Sequence, residues 1–154
     1  MILRDALPSD AEIGAEVLRR SIRELCAADH GGSEAELAVW LANKAPEAFA
    51  AWAQTPGMSL LVVESARDIV GVGLIGDSGE IFLLYVRPDA RFQGVSKALL
   101  QGLEQRAVSR GVESTFLNST ETALRFYLAA GYRPHEVDGA PRRLSKRLTK
   151  IQGH

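Results

Sequence analysis

The chain has 154 residues, a formal net charge of −1 and one cysteine. This length predicts one domain, residues 1–154, with one substantial core. The balanced charge gives no global basic field, so neither a nucleic acid nor an anionic membrane is an expected partner. A single cysteine excludes an internal disulfide framework and a multi-cysteine metal site. The apolar runs are too short to span a membrane and the N-terminal residues are charged, so we expect a soluble, cytoplasmic protein.

The N-terminal third predicts one strand followed by three helices. Residues 2–7 have the pattern of a short strand, and Asp10 begins the first helix. Ser33 and Glu36 have the spacing of a capping box at the start of the second helix. Pro46 suits the first turn of the third helix. The residues expected on the inward faces of these helices are Leu18, Ile22, Leu25, Cys26, Leu37, Trp40, Leu41, Phe49 and Trp52.

The middle of the chain contains G-x-G-x-x-G, the fingerprint of a dinucleotide-binding turn, as "GVGLIG" from Gly71 to Gly76. The fingerprint requires a strand before it and a helix opening on it. Here three strands, 58–64, 68–75 and 80–86, follow one another with hairpin-length turns between them. The first glycines therefore lie inside a strand, where glycine marks a bulge or a close neighbour. This context excludes a dinucleotide-dependent oxidoreductase.

After residue 86 the apolar period becomes helical. The pattern predicts a helix over 94–111, a strand over 112–118, a helix over 119–131 and a terminal hairpin formed by 132–137 and 142–148. The order of elements is that of a mixed α/β fold.

The junction between the third of these strands and the next helix can hold an anion. Pro88 bars further strand pairing, and the loop passes through Arg91 and Gly94 into the helix, where Lys97 follows. Unpaired N–H groups converge at a helix start, and the helix dipole attracts an anion there. Gly94 leaves room for a phosphate close to the backbone. An ordinary helix start with surface charges is the alternative on these residues alone.

Two motifs in this order resemble those of the GCN5-related N-acetyltransferases (GNAT). The loop motif of that family is [Q/R]-x-x-G-x-[G/A] after a strand that ends in L-Y-V-x-P. The chain matches it with Leu84, Tyr85, Val86, Pro88, Arg91, Gly94 and, as a departure, Ser96. The second motif matches at Asn118, Ala123, Phe126, Tyr127, Gly131 and Tyr132.

The resemblance implies a central, mostly antiparallel sheet with a splayed parallel strand pair, flanked by helices. It also implies acetyl-CoA as co-substrate, with no metal. Its pantetheine arm would lie between the strand 80–86 and the strand 112–118, against the main chain of Leu84 and Val86. The cofactor-binding residues that it implies are Leu84, Tyr85, Val86, Arg91, Phe92, Gln93, Gly94, Val95, Ser96, Lys97, Asn118, Ala123, Phe126 and Tyr127.

The resemblance further assigns roles to two titratable residues. Glu80 matches a glutamate that acts as general base in several branches of the family, directly or through water; a solvated glutamate at a strand start is the alternative. A base is needed because an alkylamine is almost wholly protonated at neutral pH. Tyr127 matches the general acid that protonates the departing thiolate; a plain core tyrosine is the alternative. Asn118 is expected near the pantetheine or as a helix cap.

The sequence gives fewer candidates for the residues that contact the acceptor amine. Asp29 and His30 fall between the first two helices, a segment that shapes the acceptor pocket in the family, and are weak candidates for substrate contact. Cys26 lies on an apolar helix face and is expected to be a buried structural cysteine, not a nucleophile. The C-terminal basic residues are expected to form a solvated face; they are Arg142, Arg143, Lys146, Arg147 and Lys150.

The predicted function is transfer of an acetyl group from acetyl-CoA to a primary amine, on a small molecule or a peptide, by direct attack in a ternary complex. The alternative is a non-catalytic acyl-CoA-binding module of the same fold. Dimers are common in the resembled family, so a homodimer is an option. The acceptor is not identified by the sequence.

Overall fold

The computed structural model describes residues 1–25, 33–134 and 142–148. Short 3₁₀ turns occur at Pro8–Asp10 and Pro88–Ala90. No helix within the described ranges is both long and apolar enough to cross a membrane. The strands are β1 (Ile2–Asp5), β2 (Met58–Ser65), β3 (Asp68–Gly76), β4 (Ile81–Val86), β5 (Ser114–Asn118), β6 (Arg133–Pro134) and β7 (Arg143–Arg147). The helices are α1 (Ala11–Leu25), α2 (Glu34–Leu41), α3 (Pro46–Gln54), α4 (Val95–Ser109) and α5 (Leu124–Ala129).

The strands form two antiparallel sheets that meet at one point. Strands β1-β2-β3-β4 form the first sheet, and β5-β7-β6 form the second. A parallel bridge between Glu80 and Phe116 joins them, and the Phe116 N–H donates to the Gly79 carbonyl at 3.1 Å. Beyond this bridge, β4 and β5 have no further pairing in the described part of the chain. The predicted mixed α/β fold with a splayed parallel strand pair is confirmed.

Helices cover both faces of the first sheet. Leu99 and Leu103 of α4 are fully buried on one face, in a cluster that extends to Tyr132 beside the second sheet. On the other face, Leu18 of α1 and Phe49 of α3 are fully buried against β2 and β3. The second helix begins as predicted, with Ser33 Oγ accepting from the Glu36 N–H at 3.1 Å. Its apolar residues are less buried than expected, since only Leu41 is fully inside.

The predicted helix over 119–131 is shorter in the structure and begins at Leu124. The preceding residues form a turn in which Ser119 Oγ donates to the Thr120 carbonyl at 2.7 Å. Thr120 Oγ1 accepts from the Ala123 N–H at 3.1 Å. Serine and threonine hydroxyls that bond the local backbone compete with helical hydrogen bonds, which explains the later start.

The expected terminal hairpin is confirmed only in part. The pairing of β6 with β7 is described for the two residues of β6, Arg133 and Pro134. The rest of the expected strand 132–137 lies outside the described residues. Strand β7 also pairs along β5, so it forms the centre of the second sheet.

The glycines of the "GVGLIG" stretch allow α4 to pack closely against β3. A Cβ at Gly73 would lie 2.9 Å from Leu103 Cδ1, and a Cβ at Gly71 would lie 2.8 Å from Val95 Cγ1. Such distances are shorter than ordinary contacts between carbon atoms. Both glycines are inside β3, as predicted, and their role is close approach between helix and sheet.

Replacing Gly73 by Ala is therefore expected to destabilise the protein by about 1–2 kcal/mol, because the methyl group overpacks a filled core. Urea unfolding measures the change in unfolding free energy. Gly73→Ala should lower the unfolding free energy by less in a Leu103→Ala variant, because that variant lacks Leu103 Cδ1, the atom nearest to the new methyl group. An equal cost in both backgrounds would contradict the contact.

Candidate functional site

The loop between β4 and α4 forms one wall of the candidate site. The chain passes through the exposed residues 91–94 before α4 starts. Gly94 is the N-cap of α4 with φ +81°, a left-handed conformation that glycine adopts without strain. A Cβ at Gly94 would have no atom within 4 Å, so this stretch of backbone is open to a ligand. Phe92 also has a positive φ, is 94% exposed, and lies under the Arg91 guanidinium at 4.8 Å.

The start of α4 has the features of an anion site. The Ala98 N–H is bonded inside the helix, to the Gly94 carbonyl at 3.0 Å. The N–H groups of Val95, Ser96 and Lys97 precede it and have no intrahelical acceptor. The helix dipole adds positive potential at this end. Within the described residues, neither Arg91 nor Lys97 forms a salt bridge, so both cations are available to a ligand.

A cleft of about 350 Å³ begins at this helix start and runs along β4 to the first residues of α5. It has a predominantly apolar lining with the cationic residues at one end. The residues that line it are Ser21, Leu84, Tyr85, Val86, Ala90, Arg91, Phe92, Gly94, Val95, Ser96, Lys97, Thr120, Thr122, Ala123 and Phe126.

A second, narrower cavity of about 40 Å³ occupies the gap between β4 and β5. Tyr127 lines it from α5, Asn118 from the end of β5 and Phe82 from β4. Leu84 and Ala123 line this cavity and the larger cleft alike. The two spaces are therefore adjacent, and a ligand bound at the start of α4 can extend into the gap.

The backbone of β4 supplies polar groups to this path. The Arg87 N–H donates to the Val70 carbonyl of β3 at 2.7 Å. Because N–H and C=O directions alternate along a strand, the backbone groups of Val86 and Leu84 point to the opposite side, toward β5. The strands have diverged there, so these groups face the gap and can bond an extended amide.

Tyr127 stands in the gap as a buried, protonated phenol. It is 5% exposed, and its ring makes edge contacts with Phe126 and Tyr132 at centroid distances of 5.2 and 5.6 Å. Burial raises the pKa of Tyr127 well above its usual value, and the neighbouring Tyr85 raises it further. A phenol in this state can donate a proton and does not act as a base near neutral pH.

Glu80 lies where β4 begins and lines neither cavity. Its carboxylate forms a salt bridge with Arg143 of β7, with Oε2 and Nη1 3.5 Å apart and both side chains about one quarter exposed. The same Nη1 donates to Asn118 Oδ1 at 3.2 Å, and the guanidinium lies over the Phe116 ring at 4.5 Å. Glu80 is thus connected to the gap through Asn118.

Comparison with known families identifies the fold and the general chemistry. The acetyltransferase (GNAT) domain family matches residues 26–143, which is most of the chain. The protein belongs to the GNAT acetyltransferase family. A solved GCN5-related N-acetyltransferase from Rhodopseudomonas palustris is 28% identical with a TM-score of 0.83, and the match covers 96% of this chain and 95% of that one.

Two further relatives extend the comparison. The PaiA N-acetyltransferase from Thermoplasma acidophilum, solved in complex with coenzyme A, has a TM-score of 0.85 at 19% identity, over 96% of this chain and 98% of that one. An amino-acid acetyltransferase from Pseudomonas syringae pv. syringae is 35% identical over 65 residues. That match covers 42% of this chain and 15% of the relative, so the chain spans only a small part of that protein's length.

The GNAT structure brings most of the predicted site residues together. Taken together, the linings of the two cavities include every predicted cofactor-binding residue except Gln93, which is exposed in the loop. The proposed base, Glu80, stays outside both. Asp29, His30 and Cys26 lie outside the described residues. Thr120, and not Asn118, accepts the hydrogen bond at the start of α5.

Sequence reasoning missed several residues at the site. Ser21 lines the larger cleft from α1 and is only 3% exposed, yet it is distant in sequence from both motifs. Arg143 was expected on a solvated face, and this was wrong, because it contacts Glu80, Asn118 and Phe116. Lys146 likewise pairs with Glu104, at 3.1 Å. Residues three apart on a strand lie on opposite faces, so the spacing of Arg143 and Lys146 was the available signal that they do not share one solvated face.

The raised pKa of Tyr127 makes stability depend on alkaline pH. As pH rises above 10.0, the ordinary pKa of tyrosine, the unfolded chain loses the proton first. The stabilisation present below that pH is therefore lost as pH rises toward the higher folded pKa. Each such tyrosine contributes a slope of about 1.4 kcal/mol per pH unit.

Replacing Tyr127 by Phe should remove one such contribution, so the unfolding free energy should decline less steeply above about pH 10. Urea unfolding at several alkaline pH values measures the slope. Tyr132→Phe is the comparison, because burial also raises the pKa of Tyr132. Parallel slopes for wild type and Tyr127→Phe would contradict the buried state of this phenol.

Proposed function

We propose that this GNAT protein transfers an acetyl group from acetyl-CoA to a primary amine by direct attack in a ternary complex. The observation that carries the proposal is the continuity of the anion site at the start of α4 with the gap that contains Tyr127. One ligand with an anionic end and a long, amide-containing arm fits this path. The complex of the Thermoplasma acidophilum relative with coenzyme A supports the choice of ligand.

The residues of the path would hold acetyl-CoA in three places. The pyrophosphate would accept from the N–H groups at the start of α4, with Arg91 and Lys97 adding charge. The pantetheine amides would form hydrogen bonds with the backbone N–H and C=O groups of Leu84 and Val86 that face the gap. The thioester would then lie in the gap, next to the Tyr127 hydroxyl.

The reaction forms a bond between the amine nitrogen and the acetyl carbon and breaks the bond from that carbon to sulfur. One proton must leave the amine, and one must reach the departing thiolate. Tyr127 is suited to the second task because it stays protonated and is buried beside the gap. Glu80 is proposed for the first task, and a water molecule would have to connect it to the gap, since it lines neither cavity.

The involvement of Glu80 in a salt bridge with Arg143 favours one alternative, an acyl-CoA-binding module without turnover. Thiol release from acetyl-CoA in the presence of a broad panel of primary amines separates the two functions. Amine-dependent release supports the transferase. Tight binding of acetyl-CoA with no release for any amine supports the binding module.

Cofactor affinity should depend on the open backbone at Gly94. Replacing Gly94 by Val places a side chain where the pyrophosphate approaches, so acetyl-CoA should bind at least about tenfold more weakly, a loss of about 1.4 kcal/mol or more. Calorimetry measures the dissociation constant.

Gly111 offers a matched control for this substitution. Its φ is +79°, and a Cβ there would also have no atom within 4 Å, but it follows the far end of α4. Gly111→Val should therefore share the backbone strain and leave acetyl-CoA affinity within about twofold of wild type. Equal affinities for both variants would refute this placement of the site.

The roles of Glu80 and Tyr127 should differ in their response to pH. Glu80→Gln should lower turnover by roughly 10²–10⁴-fold with acetyl-CoA affinity retained, and higher pH should restore part of it as the amine deprotonates unaided. Tyr127→Phe should not recover, because alkali supplies no acid.

A pH–rate profile of each variant measures this difference. Two equal, pH-independent losses would mean that both residues serve only to hold the site together. Full activity of Glu80→Gln would remove it as the base and leave a water chain.

A further inference from the structure

A pair of opposite charges lies beside the gap, near the end where β4 and β5 are still joined. Glu80 stands where β4 begins, and Arg143 faces it from β7. Arg143 Nη1 also donates to Asn118 Oδ1, and Asn118 lines the gap together with Tyr127. The charged pair is therefore connected, through Asn118, to the space in which the thioester would lie.

The contacts of Arg143 leave much of its guanidinium available. Both polar contacts in the described part of the chain use Nη1. A guanidinium has five N–H donors, so those on Nη2 and Nε remain for a ligand. The Phe116 ring lies under the guanidinium, with the Cζ atom 4.5 Å from the ring centroid, and restricts its movement. A planar group held in this way suits two parallel hydrogen bonds to a carboxylate.

We propose that the acceptor amine carries a carboxylate close to its primary amino group, as an α-amino acid does, and that Arg143 binds this carboxylate. The inference rests on the proposed transferase function and names its substrate class. Glu80 and Arg143 present a negative and a positive charge side by side, which complements the ammonium and carboxylate of a zwitterion.

A purely cationic acceptor fits this charged pair poorly. The second ammonium of a diamine would approach the Arg143 guanidinium, and like charges in an interface oppose binding. A salt bridge that only fastened the two sheets is a weaker account of the pair, because ion pairs that are partly exposed contribute little stability. A purely structural salt bridge also gives no role to the N–H donors on Nη2 and Nε of Arg143.

The test compares α-amino acids with their carboxamides, which keep the amine and lose the negative charge. Thiol release gives kcat and KM, with rates expressed against the concentration of unprotonated amine. Wild type should prefer the carboxylate at least tenfold in kcat/KM. Arg143→Gln should raise the KM for the amino acid at least tenfold, leave that for the carboxamide nearly unchanged, and retain acetyl-CoA affinity.

Two variants complete the design. Arg143→Lys keeps the positive charge but lacks the planar guanidinium, so it should retain part of the preference for the amino acid over the carboxamide. This variant also replaces Arg143→Gln in the test if Arg143→Gln fails to fold. Arg147→Gln makes the same charge change on the same strand and the same face, four residues away from the pair, and should leave both acceptors unaffected.

The outcomes separate the inference from the proposed function. Equal use of amino acids and carboxamides by wild type, or an unchanged preference in Arg143→Gln, would overturn the inference while the transferase function stands. Binding of acetyl-CoA without thiol release for any amine would overturn the proposed function, and the inference with it.

Discussion

The site depends on the divergence of two parallel strands. β4 and β5 share one bridge, at Glu80 and Phe116, and separate from there toward their carboxyl ends. A continued ladder would pair the outward backbone groups of Leu84 and Val86 and leave no gap. Backbone groups that face a gap between strands can bond an extended ligand that brings amides of its own. The side chains of α5, Tyr127 among them, fill the space next to the gap.

The second requirement is that the start of α4 lies at the end of this gap. Gly71 and Gly73 allow α4 to approach β3 to a distance that any side chain would increase. Val95, the first residue of α4, packs against Gly71, so the helix start is fixed relative to the sheet. The same glycines that match a dinucleotide fingerprint thus position the proposed anion site, which begins about twenty residues later.

Local features of the chain were predictable, and long-range ones were not. The helix start after Gly94 follows from residues within a few positions of it, since a strand end, a proline and a glycine N-cap occur in sequence. The late start of α5 was missed because the Ser119 and Thr120 hydroxyls compete with helical bonding. The contact of Arg143 with Glu80 joins residues from opposite sheets. Only the topology, with β7 in the centre of the second sheet, brings them together.

The two residues proposed for proton transfer have opposite environments, and this follows from the direction of each proton. Tyr127 must keep its proton until the thiolate departs, and burial keeps it on the phenol. A base must instead pass its proton to solvent, so a partly exposed position suits Glu80. The pairing of Glu80 with Arg143 then has a consequence for substrate binding. An acceptor carboxylate that accepts from the Nη2 and Nε donors of Arg143 would leave the Nη1 contact with Glu80 in place. Binding of that carboxylate would therefore also bring the neighbouring amino group toward Glu80, the residue proposed to accept its proton.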